Sequence, residues 1–404
     1  MRAVYDDLTI PAPGSNTARE VLSRALARLP ADLRALPADL PATPSAREAL
    51  RAVQDLVARA TAAPRAPLAG ALVAALRLPT AGALVRCLRD EARAHRRGPR
   101  ADALATELAA TVALEIAREG ALDASVTIDR PPPRVLCQGA RVAVTVPADC
   151  DALRVDPEGI ALRRDGRWAD GRAYLSEADA APWRAVQGPI ALALADNNPL
   201  AIYGALPGDA PNAVDLGGRP VTAWLATLRE ALDLVAEHLP DLRAEMDLHV
   251  QQFVPIGHDP ETHRSASYRQ ALGTVYLTLH PGLMTMTEAV IHEFQHNKLH
   301  ALMEVDPVIT NDPSARFPSP LRRDARPLRG VLLAVHAFLP VARLYEAMTA
   351  AGHPLAVRPS FRERAARVRA VNRDAAEVVL SRANPTPTGR ALLDEIQRWI
   401  VHFG

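Results

Sequence analysis

Apolar residues recur at helical spacing over most of this chain. Leucine, valine and alanine return every three to four positions in 17–29, 45–62, 81–96 and 101–118, with arginine and acidic residues between them. Proline joints at Leu29-Pro30 and Ala63-Pro64 divide these segments. After Gly120 the pattern changes. Residues 125–128, 134–136 and 141–146 alternate or run β-branched side chains, 188–195 is an apolar strand candidate, and Asp156-Pro157-Glu158-Gly159 and Arg164-Asp165-Gly166-Arg167 read as turns. A clear 3.6-residue period returns at 221–239, and 248–256 and 271–279 read as strands. From Met284 the pattern is helical: one helix to about Asp306-Pro307, then helices over 328–351, 360–383 and 387–401. Thr285 and Glu288 have capping-box spacing at the start of the first of these. The expected fold is α+β and mostly helical. It has a helical N-terminal region (1–120), a β-rich section (121–205) and a C-terminal helical metal-binding region (206–404), with no internal repeat.

The helix after Met284 carries the candidate chemistry. It reads HEFQHNKLH from His292 to His300, a His-Glu-x-x-His pattern. Two histidines four residues apart lie on one helix face, one turn apart, so both imidazoles can reach one divalent metal. On a helical wheel His292, His296, Leu299, His300 and Met303 share a broad face, with Glu293 at its edge. A catalytic metal needs a third protein ligand. His336, inside the apolar segment GVLLAVHAFLPVA, is the leading candidate; His300 and Glu346 are the alternatives. The usual metallopeptidase extension would place glycine at Leu299 and histidine or aspartate at Leu302, and neither is present. Lys298, the only lysine of the chain, points away from the metal face and is expected to pair with a carboxylate or a backbone carbonyl.

Net charge is +1, which gives no case for nucleic acid or an anionic membrane as partner. Arginine replaces lysine almost throughout, as expected from a GC-rich coding bias of the kind found in high-GC bacteria. The basic run from His95 to Arg100 reads as a solvated helix end. Three widely spaced cysteines, Cys87, Cys137 and Cys150, fit a reducing compartment better than a disulfide scaffold or a cysteine zinc site. The N-terminus lacks the apolar core of a signal peptide. The run LAGALVAALRL (68–78) is too short to span a bilayer, and no other run is long and uninterrupted enough. A soluble cytoplasmic protein is expected.

SASYRQALGTVYLTL (265–279), EAVIHEFQHNKLHAL (288–302) and RRDARPLRGVLLAVHAFLPVARLY (322–345) together resemble the bacterial HExxH-type peptide-modification family. Its members are described as 2-oxoglutarate-dependent peptide β-hydroxylases acting on ribosomally synthesised precursor peptides. The resemblance covers about residues 250–350. Its core, HEFQHxKLxAL, takes in Lys298, and Arg326-Pro327-Leu328, Gly330 and His336 follow at matching positions. Leu321 departs from it, standing where an aromatic is expected. The resemblance implies Fe(II) and 2-oxoglutarate, a ligand set of His292, His296 and His336, and a precursor peptide hydroxylated at a side-chain β-carbon such as that of Asp. It also calls for a cation at the far carboxylate of the cosubstrate: Arg326, with Arg322 and Arg323 as alternatives. Glu293 would then orient a ligand, water or substrate. The alternative from the motif alone is a zinc metallopeptidase with Glu293 as general base. Three imidazoles suit either metal.

Overall fold

Proline opens most of the helices. It lacks the N–H that a first-turn residue cannot use anyway, and its ring presets the helical φ. The computed structural model describes residues 5–94, 99–176, 181–203, 213–320 and 324–404. Its first part comprises α1 (Thr17–Leu26), α2 (Leu29–Arg34), α3 (Pro44–Ala62), α4 (Pro67–Arg77), α5 (Pro79–Arg93) and α6 (Pro99–Arg118). Six short strands follow: β1 (Val126–Asp129), β2 (Arg134–Cys137), β3 (Val142–Thr145), β4 (Ala152–Asp156), β5 (Gly159–Arg164) and β6 (Arg167–Asp170). Four of them form an antiparallel sheet in the order β1-β4-β5-β6, and β2 pairs with β3. The Asp165-Gly166 turn joins β5 to β6 with positive φ at both residues (48° and 73°), the conformation favoured for a two-residue hairpin loop.

The second part begins with β7 (Trp183–Gln187) and β8 (Ile190–Ala193). It continues through α7 (Pro199–Tyr203), α8 (Val221–His238), α9 (Pro240–His249), β9 (Gln252–His258), β10 (Ser265–Ala266) and β11 (Thr274–Leu279). It ends in four long helices: α10 (Leu283–Val305), α11 (Leu328–Ala350), α12 (Pro359–Arg382) and α13 (Pro387–Phe403). The five-stranded sheet has the order β10-β11-β9-β8-β7, with β8, β9 and β11 parallel and the two edge strands antiparallel. Strands β9 and β11 are buried almost throughout, as strands covered on both faces must be. Phe253, Val275 and Leu277 face the core shared with α8 and α10. Val254, Ile256 and Tyr276 face the opposite side.

The fold is mostly helical α+β, with helices at both ends and strands between. Packing runs across the expected section boundaries. One hydrophobic core joins α2–α6 to β1, β2, β4 and β5 across residue 120, and the five-stranded sheet joins β8 to β9 across residue 205. Three local expectations are corrected. Residues 248 and 249 end a helix, α9, rather than start a strand. Pro240 opens that helix, and its buried face mixes Arg243, Glu245 and His249 with Leu242 and Met246, which hides the helical period. The Thr285/Glu288 capping box does not form: Gly282 is the N-cap of α10, and Glu288 accepts hydrogen bonds from Tyr345 (2.5 Å) and Arg364. Finally, α11 is long and apolar enough to cross a membrane, although its sequence is broken by Pro340. Two-thirds of its apolar window (67%) is buried inside the fold, as in a core helix.

Candidate metal centre

Helix α10 is buried along almost its whole length, and each of its sides meets a different element. It packs on α11, α8, α1 and β11. A buried polar group costs free energy unless it is hydrogen-bonded, and α10 carries many that are bonded. Asn297 faces the sheet. Its Oδ1 accepts from the Gly273 amide (2.7 Å), and its Nδ2 donates to the carbonyls of Glu293 (3.0 Å) and Thr274 (3.3 Å). Gly273 has φ +104°, and a Cβ there would lie 3.0 Å from the His249 carbonyl, so glycine lets the start of β11 pass this close to the end of α9.

His292 and His296 project from α10 toward α11. Their Nε2 atoms converge to 2.8 Å, and the rings lie 4.4 Å apart. The Phe338 ring of α11 packs edge-on against His292 at 4.8 Å. Two imidazoles bound to one ion at about 2.0–2.1 Å hold their nitrogens roughly 3 Å apart, so this convergence suits a shared metal. Burial depresses the His296 pKa. The neutral imidazole is the form that ligates.

Glu293 points to the sheet edge instead. Ser265 Oγ donates to its Oε1 (2.7 Å) and Ser267 Oγ to its Oε2 (2.6 Å). Ser265 lies in the edge strand β10 and Ser267 directly follows it, two residues on, so both hydroxyls face one side. That i, i+2 spacing was visible in the sequence as Ser265-Ala266-Ser267. Without the partner helix, nothing in it pointed to Glu293.

His336 lies on α11 and is 1% exposed. Its Nε2 is 2.9 Å from the Leu8 carbonyl. A carbonyl only accepts, so Nε2 carries the proton and Nδ1 keeps a bare lone pair. That Nδ1 has no hydrogen-bond partner among the described residues. Burial pushes the His336 pKa down to about 3. A histidine that gives one ring N–H to a backbone carbonyl and keeps the other nitrogen free is typical of a metal ligand. His300, one turn past His296 with its ring 6.1 Å from that of His296, also has a buried Nδ1 without a partner. Burial first, then His296 and the Arg329 and Arg269 guanidiniums, hold it well below the usual histidine range. Among the described residues, no three His, Cys, Asp or Glu side chains gather closely enough to hold a metal ion. The converged donors are therefore the His292/His296 pair. Glu346 lies elsewhere, pairing with Arg343 (2.5 Å) and His402 (2.9 Å).

Lys298 points away from the histidines, as its wheel position requires. Its ammonium pairs with Glu245 (2.7 Å), with the two side chains 3% and 5% exposed, and donates to the carbonyls of Asp7 (3.2 Å) and Thr9 (3.3 Å). Gln295 donates to the same Thr9 carbonyl. Glu395 of α13 accepts from the amides of Leu8 and Thr9. The segment 7–10 is thus strapped between α10 and α13, and the strap supplies the carbonyl that orients His336.

Arg326 lies two residues before α11. Its guanidinium pairs with Asp324 (3.2 Å), and its backbone forms an antiparallel bridge with Phe317. Leu321, Arg322 and Arg323, and His95 to Gly98 of the basic run, lie outside the described residues. The cations whose charge reaches His300 are Arg269 and Arg329, neither singled out in the sequence. In a chain with 47 basic residues, no arginine stands out without its surroundings. No family model matches this chain, and no curated protein matches it.

Proposed function

We propose that this protein is a cytoplasmic Fe(II)/2-oxoglutarate-dependent hydroxylase acting on the side-chain β-carbon of a residue, such as Asp, in a ribosomally synthesised precursor peptide. The observation that carries this reading is the division of labour within the His-Glu-x-x-His motif. Its histidines converge toward one point, while both oxygens of its glutamate accept hydrogen bonds from Ser265 and Ser267 at the sheet edge. A peptidase needs that carboxylate turned to a metal-bound water as general base. Here it ties α10 to β10, so the motif offers metal ligands without the base.

His292 and His296 would hold the metal. His336, which does not converge with this pair in the structure, is proposed to close on the metal as third ligand through Nδ1, with its tautomer set by the Leu8 carbonyl. With only neutral imidazoles, this donor set leaves charge balance to an anionic cosubstrate. When bound, iron with 2-oxoglutarate supplies oxidation by O₂: cosubstrate, O₂ and a C–H bond become succinate, CO₂ and C–OH. Phe338 packs against one ligand ring and excludes water from that side. Glu293, through Ser265 and Ser267, fixes the sheet edge beside the histidines. Among the described residues, strand β10 has no partner on its outer side. An extended peptide can add to such an edge by backbone hydrogen bonds.

The test needs no substrate peptide. Protein loaded with Fe(II) in air should convert 2-oxoglutarate to succinate slowly, and His296→Ala should not. Zinc-loaded protein that cleaves unfolded casein, with loss of cleavage in Glu293→Gln, would establish the peptidase alternative and overturn the hydroxylase reading.

A further inference from the structure

A cavity of about 370 Å³ opens beside the C-terminal half of α10, between Met303 and the first turn of α11. Arg269, Arg329, Asn311, Asp312 and Pro327 are among its lining residues. The local charge is unbalanced. Glu304 is one carboxylate serving two guanidiniums, Arg86 at 2.6 Å and Arg269 at 2.5 Å. Arg329 is a third cation, half-buried, and makes no ion pair among the described residues. Burial and the neighbouring Arg269 depress its pKa, against the attraction of Glu304, which already serves the other two guanidiniums. Asp312 is exposed, and its Oδ1 accepts from the amide and hydroxyl of Ser314. The charged residues that line the cavity are Arg269, Arg329 and Asp312, which together carry a net charge of +1.

The setting also favours an anion. Pro327, Leu328 and Arg329 are the N-cap and first two residues of the 23-residue α11, and that N-cap makes no side-chain hydrogen bond to the helix. The first N–H groups of a helix have no intrahelical partner, and the helix dipole places positive charge there. A guanidinium removed from water without a counter-charge is costly, and a carboxylate that enters restores the balance with two parallel hydrogen bonds. Met303 shares the face of α10 that bears His292 and His296, two turns from His296.

We infer that the Arg269–Arg329 cavity is a binding site for a small carboxylate, with Arg329 as its principal contact. Two sources offer that chemistry: the free dicarboxylate cosubstrate, or the acidic side chain of a bound peptide. Naming either source rests on the proposed hydroxylase function. The anion site itself stands on the cavity and its charge.

The probe is glutarate, a five-carbon dicarboxylate without the 2-oxo group, titrated calorimetrically into metal-free protein. Its outcome is therefore independent of iron. Glutarate should bind the wild type and raise its unfolding temperature. Arg329→Gln should weaken binding about tenfold or more, the worth of one charge-assisted contact. Arg329→Lys, which keeps the charge but loses the fork, should fall between them. Asp312→Asn should tighten binding about twofold. Binding of glutarate but not of acetyl-Gly-Asp-Gly-amide assigns the site to the free dicarboxylate, and the converse assigns it to an acidic peptide side chain. No binding of either, an equal response in Arg329→Gln, or a loss in Arg326→Gln instead, overturns the inference.

Discussion

Helices α6 and α10 each run through the middle of one part of the molecule, yet they are filled differently. The buried positions of α6 are mainly alanine, leucine, valine and isoleucine, with Thr106, Thr111 and Glu115 as its buried polar residues. Those of α10 include Glu288, Glu293, Gln295, Asn297, Lys298, His300 and Glu304. Each of these except His300 has a hydrogen-bond or ion-pair partner outside α10. An apolar helix holds its neighbours by area and shape. A helix packed through satisfied polar contacts fixes its rotation and depth, because any slip leaves a buried donor or acceptor unpaired. That fixed setting is what two metal ligands one turn apart require.

The largest difference between the two helices should be in metal binding. His296→Ala should lower metal affinity about a hundredfold or more, since loss even of an outer-shell partner costs ten- to a hundredfold. Leu108→Ala on α6 should leave it unchanged. Metal content after dialysis reads both, and full metal retention by His296→Ala would break the contrast.

Stability distinguishes the two kinds of packing next. Lys298→Met leaves Glu245 charged and buried and should cost about 3–5 kcal/mol in urea unfolding. The Lys298→Met/Glu245→Leu pair should recover most of it. A double variant as weak as the single would show that packing, rather than the stranded charge, set the cost. Leu108, fully buried in α6, should lose about 2–5 kcal/mol on truncation to alanine, without rescue by any charge change.

The smallest expected effect is in pH dependence. Burial raises the Glu107 carboxyl on α6 to about 7, against the hydrogen bonds from Asn197 and Thr111. The folded state therefore holds a proton that the unfolded chain loses near its ordinary value of about 4.3. This contribution is complete below that value and is lost as pH rises through 7. His249 in α9 has the opposite sign. Burial, then Lys298, hold it down to about 3, so the folded state resists protonation and stability falls as pH drops from about 6.5 toward 3. Melting temperatures of Glu107→Gln and His249→Gln across pH 4–8 should lose the alkaline and acid slopes respectively. Unchanged slopes would remove these groups from the account.

Periodicity made α6, α8 and the run α10–α13 legible in the sequence, and the pentapeptide made the histidine pair legible, because both are local patterns. The direction of Lys298 also followed from the wheel. What stayed hidden depends on contacts between distant segments. The Leu8 carbonyl sets the tautomer of His336 across 328 residues of chain. Ser265 and Ser267 hold Glu293 from a two-residue strand and the residue after it, too short a segment to show a period. Arg329 stands apart through its half-buried place in a cavity wall, a property of its surroundings. Arg326 looked stronger because Pro327 follows it, but it already has Asp324.

The most direct test of the central claim is an anaerobic absorption spectrum of the apoprotein with Fe(II) and 2-oxoglutarate. A weak visible charge-transfer band should appear that needs both additions and is absent in His292→Ala. No band, together with tight stoichiometric zinc in the protein as isolated, would contradict it.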